Sequence, residues 1–526
     1  MLSKKFKQNN PMQSSNTADP SPVEARESRH SAGSAAEPDM TSQQLRQASV
    51  RGGAVTGIAQ LAKLVLRTGS TAVLARALAP EEYGLIAMAT VVTGFAGIFM
   101  DGGLGLASVQ RTNLRKDQMN ALFWINVAIG LVLTVILAAA SPLVAAFFNE
   151  PRLVWVTCVL SLNFIINSLA IQPTASLHRN MKFLAMARVE ILSMAVGIMV
   201  AIAMAYSGLG YWALVGMPLG QAVANVVLSF REARWRPGMP AKASGLRETL
   251  KFGFDVLGFN ILIYACRKGD NLLIGWYWGA LSLGLYDKAY GLLLLPLSQI
   301  NGPICRVTLP VMARAKNSPE ELRTYVADMM FCIASIGTIV VAGLFLFSEQ
   351  VVAILLGKAW MEAVPVFQAL SLAALMGLLQ NPTGWVLMAV GETKSLKAMG
   401  GVNSFLFLLS FAIGLPHGLV AMAHCYSVAS LLAAAWSWWY VARVTGIGLS
   451  SLRKALLPPL VAMAAGLLGA YGLQHATSGM SLTLVRDLII GGGLVSVYAI
   501  ILLGGFSKWS YFLRGLNMMG LKFQRA

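Results

Sequence analysis

Charge is what this chain has least of. Only 12% of its 526 residues are charged, about half the roughly 25% of a soluble domain. Acidic residues are the scarcer kind, 23 against 41 Lys and Arg. A surface that poor in charge does not suit water, which excludes an ordinary soluble enzyme or binding module. Cysteine is sparse too: Cys158, Cys266, Cys305, Cys332 and Cys425 all fall in or beside apolar segments, and no CxxC pair exists. That leaves neither a disulfide framework nor a zinc site, only small packing residues. Soluble stretches of any size are missing after residue 50. The net charge of +18 therefore has no domain on which to gather into a nucleic-acid surface.

Apolar runs make up the rest. The chain is 56% hydrophobic, with a mean hydropathy of +0.63, and runs of about twenty residues, enough to cross a hydrocarbon core, recur along it. The fold class this implies is an all-α polytopic membrane protein. Fourteen spans are expected, at residues 52–78, 83–109, 119–147, 153–177, 184–206, 210–230, 252–278, 283–310, 324–347, 363–390, 395–415, 418–441, 455–474 and 484–505. "SEQVVAILLGKAWMEAVPVF" leaves open a loop with a short amphipathic helix between the ninth and tenth. Residues 1–45 are rich in Ser, Pro, Ala and charge without apolar period, and are expected to form a disordered cytoplasmic tail; they lack the apolar core of a signal peptide.

Loop charges orient the spans. With the amino terminus inside, 31 of the 41 Lys and Arg fall in inner loops and tails, while only Arg76, Arg152, Lys358 and Arg486 lie near the outer face. Such a bias puts both termini in the cytoplasm and requires an even number of spans.

Shifting the chain by 200 residues lays the first span over the seventh. "LRTGSTAVLARALAPEEYGL" (66–85) then pairs with "CRKGDNLLIGWYWGALSLGL" (266–285), and Arg67/Arg267, Gly69/Gly269, Gly84/Gly284 and Ala89/Ala289 coincide. Asn260, Tyr264, Arg267 and Asn271 recur at i, i+4, i+7 and i+11, along one helical stripe. The first span offers Gln60, Arg67 and Thr71 on the equivalent stripe, with Lys63 beside it. A lipid-facing Arg or Lys at midplane costs about 2.5–3.5 kcal/mol on insertion scales, so the two stripes are expected to face each other across a basic, watery cavity. Two other readings remain open. Arg267 and Asp270, at i and i+3, can form a local ion pair, and Asp101, near the outer end of the second span, can partner Arg76. Lys268 points about 100° away from Arg267 on an ideal helix. His417 and His424 suit either a proton relay or simple packing.

"LARALAPEEYGLIAMATVVTGFAGIFMDGGLGLASVQR" (74–111), "LPLSQINGPICRVTLPVMARAKNSPEELRTY" (295–325), "LLGKAWMEAVPVFQAL" (355–370) and "MAVGETKSLK" (388–397) resemble, in order, segments of bacterial polysaccharide exporters. These are the Wzx-type flippases, here closest to the colanic-acid exporter group, of the multidrug/oligosaccharidyl-lipid/polysaccharide superfamily. The resemblance implies two pseudo-symmetric six-helix lobes, at 46–231 and 252–443, joined by a cytoplasmic linker at 232–251. Two additional spans (444–506) and a cytoplasmic tail (507–526) follow.

It also implies a substrate, an undecaprenyl-pyrophosphate-linked oligosaccharide, turned over across the bacterial inner membrane for exopolysaccharide, capsule or O-antigen synthesis. The polysaccharide polymerase and export machinery are the further partners it points to. In this reading Arg67 and Arg267 grip the pyrophosphate, with Lys63 and Lys268 assisting. Gln60, Thr71, Asn260, Tyr264 and Asn271 form the polar wall, and Asp270 and Asp101 tune the site or couple an ion. No catalytic residue, metal or cofactor is expected, and proton or sodium coupling stays open. The rivals are a lipid II-type flippase, a drug or sodium antiporter, which would want acidic cavity residues, and a membrane glycosyltransferase or polymerase. For the last, the "APEEYG" loop is too short; Glu81 and Glu82 there are expected to cap a helix.

Overall fold

The computed structural model describes residues 42–100, 116–239, 246–477 and 483–505, all of them in helices or short connections. The side chains of 246–263 and 265–267 lie outside the described set. The helices are α1 (Ser42–Ala77), α2 (Pro80–Met100), α3 (Lys116–Phe148), α4 (Leu153–Arg179), α5 (Phe183–Tyr206) and α6 (Trp212–Ala233). A continuous run, Leu246–Ala315, divides at Gly279 into α7 (246–278) and α8 (280–315). There follow α9 (Pro319–Leu346), a short helix Ser348–Leu355, α10 (Ala363–Val390), α11 (Thr393–Gly414), α12 (Leu419–Thr445), α13 (Leu449–Ala476) and α14 (Thr483–Ala499). Every expected span has its helix, and the short helix falls within "SEQVVAILLGKAWMEAVPVF".

Among the described residues, twelve helices are long and apolar enough to cross a bilayer, with residues 268–315 counted as one. α1 falls outside the twelve, because Gln60, Lys63, Arg67 and Thr71 interrupt its apolar surface.

Local chemistry sets the ends. Pro80 opens α2, and Glu82 in its first turn accepts the Ala79 N–H at 2.8 Å, as the capping expectation required. Glu81 instead pairs with Arg152. Gly391 (φ 85°) closes α10, donating its N–H to Leu387 and Met388 carbonyls, and Gly446 (φ 71°) closes α12. Gly279, at φ 79° and ψ −171°, occupies a region essentially reserved for glycine, which is why α7 and α8 break there.

α2–α6 form one bundle, with α3 against α4 and α5 against α6 as its closest pairs. Small residues let these helices approach, since no hydrophobic gain separates helix from lipid: Gly130 faces Ser168, and Gly197 faces Gln221 and the Met217 carbonyl. α8–α12 build the second bundle around α10, the most buried of the candidate spans. Trp438 of α12 donates to the Leu379 carbonyl of α10 at 2.9 Å. α13 lies on α9, and Tyr498 of α14 donates to the Ser335 carbonyl of α9 at 2.8 Å.

The bundles meet through α2 and the α7–α8 run. Gly84 leaves no room for a Cβ beneath the Ala280 carbonyl, and Gly284 none beneath the Pro80 carbonyl. Each residue meets the one offset by 200 from its partner's contact. That reciprocity is what a pseudo-twofold axis produces, and the 200-residue shift read from the sequence lands on it. α1 reaches across the same end. The Trp360 indole donates to the Ala75 carbonyl at 2.9 Å, Arg76 donates to the Ile354 carbonyl at 2.7 Å, and Tyr83 packs edge-on against Trp360 at 5.2 Å.

Candidate functional site

A cavity of about 950 Å³ opens beside this closed end. α1 contributes Arg67 and Thr71, α7 contributes Lys268, Asp270 and Asn271, and α8 contributes Asp287, Lys288 and Tyr290. α10, α11 and α12 complete the wall with Asn381, Asn403 and Tyr426. The wall therefore carries three cations and two carboxylates. Beside Asp270, which the sequence placed there as a tuning residue, Asp287 adds a second carboxylate, and the wall keeps a single cationic excess.

Its carboxylates are engaged locally. Asp270 is 5% exposed and accepts the Tyr286 hydroxyl at 3.1 Å and the Asn271 N–H at 2.7 Å. Asn271 in turn donates from Nδ2 to Asp287 Oδ1 at 3.1 Å. Tyr290 and Tyr426 share a hydrogen bond at 3.2 Å, and Tyr426 stacks on Phe411 at 5.3 Å. Lys288 lies 4.2 Å above the ring of Tyr83, a cation–π contact from α8 to α2. Arg67 and Lys268 have no ion-pair partner among the described residues. Both are cavity cations free to meet an anion.

The sequence candidates separate accordingly. Arg67, Thr71, Lys268, Asp270 and Asn271 come together. Lys268 stands on the wall despite its angle from Arg267, because a cavity this wide takes in more than one helical stripe. Lys63 does not line the cavity: it is bound to Glu190 of α5. α1 holds no acid of its own, so that partner is supplied across the bundle from 127 residues away. Gln60 is exposed and also outside the wall. Tyr264 faces α2 instead, donating to the Val91 carbonyl at 2.9 Å over the space left by Gly94. The side chains of Arg267 and Asn260, and Asp101 altogether, lie outside the described residues. His417 bonds the Ile413 carbonyl at 3.0 Å, and neither it nor His424 reaches the cavity.

Asp287 and Lys288 were missed. Their signal was present, a charged pair in "YDKAYG" within an apolar span. Asn381, Asn403 and Tyr426 carried none, being uncharged residues in long apolar runs.

A family described as polysaccharide biosynthesis protein matches residues 73–365, more than half of the chain. The teichuronic acid biosynthesis protein TuaB of Bacillus subtilis (strain 168) is 27% identical over 403 residues, 76% of this chain and 83% of that one. The lipopolysaccharide biosynthesis protein WzxC of Escherichia coli (strain K12) is 25% identical over 372 residues, 70% and 76% of the two chains. Among solved structures, the lipid II flippase MurJ in an inward closed conformation superposes with a TM-score of 0.67 at 14% identity, over 86% of this chain and 98% of that one. With a family match over more than half of its length, the chain belongs to the polysaccharide biosynthesis protein family, and its fold is that of the lipid II flippase.

Proposed function

We propose that the protein is an inner-membrane flippase that carries undecaprenyl-pyrophosphate-linked oligosaccharides from the cytoplasmic to the periplasmic face by alternating access. One observation carries this: the large cavity of the second bundle, bordered by α1, holds Arg67 and Lys268, which form no ion pair among the described residues, beside Lys288. Unpaired cations in a membrane interior are costly unless they serve an anion, and a pyrophosphate suits both the planar fork of Arg and the point charge of Lys. The lipid tail stays in the bilayer while the bundles rock about the α2–α8 crossing. Asp270 and Asp287, held within the same network, are the groups for a coupling proton or sodium ion. Arg267, one repeat away from Arg67, belongs to the same grip.

The test is deletion of the gene followed by analysis of undecaprenyl-linked sugars. Complete repeat units should accumulate on the cytoplasmic side; incomplete units would mean a transferase and end the proposal.

A further inference from the structure

The first bundle holds a second cavity, about 380 Å³, between α2, α4 and α6. Thr90 and Thr93 on α2, Asn163 and Asn167 on α4, and Gln221 and Asn225 on α6 all line it. Each helix thus presents two polar side chains one turn apart, at i, i+3 or i, i+4, the spacing that keeps both on one face. No ionisable residue lines the cavity among the described residues.

Interhelical hydrogen bonding would be the ordinary reason for amides inside a membrane bundle, but these side chains do not provide it. Asn163 donates to Leu160, Asn167 to Asn163 and Thr90 to Ile86, each to a carbonyl of its own helix, and Asn225 accepts from Ser229, also of its own helix. Gln221 and Thr93 make no hydrogen bond with the described residues. The wall therefore offers unused amide oxygens and N–H groups, which present donor and acceptor in one plane, beside the apolar face of Phe164. A neutral, polyhydroxylated ligand answers that surface, its hydroxyls meeting the amides and its C–H faces meeting Phe164. An anion does not. The volume is within the usual range of small-molecule sites, about 300–1,000 Å³.

We propose that this cavity is a saccharide subsite: it holds a neutral sugar segment of the lipid-linked oligosaccharide while the charged cavity holds the pyrophosphate. The proposal rests on the function proposed above. Tyr264 of α7, the helix that carries Lys268 into the charged cavity, seats against Gly94, a wall residue of the sugar cavity.

The experiment measures binding to the purified full-length protein by native mass spectrometry. One probe is bare undecaprenyl pyrophosphate; the other is the pool of oligosaccharide-bearing lipids extracted from cells lacking the protein. The wild type should bind the sugar-bearing lipids more tightly. Gln221→Leu and Asn167→Leu should each weaken that binding by about tenfold, the loss of one or two hydrogen bonds, and leave the bare lipid unaffected. Thr93→Val serves as a third variant, with the smallest volume change, if either of these fails to fold. Lys268→Ala should weaken both lipids alike. If the wall variants change neither lipid, or both equally, the sugar subsite is wrong while the flippase reading stands. If the wild type binds neither lipid, the flippase reading falls and takes the subsite with it.

Discussion

Single side chains separate the roles of the cations. Arg67 and Lys268 face the cavity unpaired, whereas Lys63 is held by Glu190 with both groups partly exposed. Charge-assisted hydrogen bonds to an anion are worth about 1.5–3 kcal/mol, so Arg67→Ala and Lys268→Ala should each lower polymer export by about ten- to a hundredfold while membrane insertion is retained. An exposed pair contributes about 0.2–1 kcal/mol, so Lys63→Gln should leave export near the wild-type level. Export assays with immunoblots of the membrane fraction check all three, and equal loss in all three would remove the distinction.

Outside the spans, the Arg152 guanidinium hydrogen-bonded to Glu150 holds that carboxyl below its ordinary value of 4.5. Bonds to Glu150 and then Glu81 push Arg152 upward. A depressed carboxylate contributes stability that is present above its unfolded pKa and is lost as pH falls through its folded one. The stabilisation that Arg152 provides should accordingly be present at neutral pH, begin to decline as the pH reaches about 4 and be lost at lower pH. Thermal unfolding of the wild type and Arg152→Gln across that range would show whether the gap closes.

At the level of helices, the α2–α8 crossing depends on two positions. Gly84 and Gly284 each lie against a carbonyl of the opposite helix, so a side chain on either forces the pair apart. Overpacking of this kind costs about 1–3 kcal/mol. It falls here on the contact through which the two bundles meet. Gly84→Leu and Gly284→Leu should therefore hold the bundles apart and stop transport in folded, membrane-inserted protein. Increased labelling of a cysteine placed at Thr71, on the cavity wall, would report the opening; unchanged labelling with normal export would show that the crossing does not gate. Among the described residues, α1 differs from its neighbours in packing only sparsely against any one helix. It is tied at Lys63 to the first bundle and at Ala75 and Arg76 to the second.

For the molecule as a whole, the loop charges make a prediction about sidedness. Ser207, exposed in the α5–α6 loop, is expected outside, and Lys394, exposed at the start of α11, inside. In a cysteine-free background, Ser207→Cys should react with a membrane-impermeant maleimide from the periplasm and Lys394→Cys only after lysis. The opposite pattern would invert the molecule and the direction of transport proposed for it. Two cavities of different chemistry, one charged beside α1 and α7 and one neutral within the first bundle, give the proposed substrate separate places for its pyrophosphate and its sugars.

Hydropathy and local propensity are properties of short stretches. The sequence by itself therefore determined the fourteen helices, the glycine and proline helix ends, the polar stripe of α1 and the 200-residue repeat. The repeat told more than its few identities promised, because Gly84 and Gly284 are held in place by the same backbone contact made twice. What only the tertiary structure decided was which polar residues meet. Rotation of each helix about its axis is set by packing, and a residue's partner can lie anywhere in the chain. Lys63 finds Glu190, Asn271 finds Asp287, and six amides and hydroxyls from α2, α4 and α6 converge on one neutral cavity. None of those meetings leaves a mark in local sequence, since each residue alone is an ordinary polar interruption in an apolar helix.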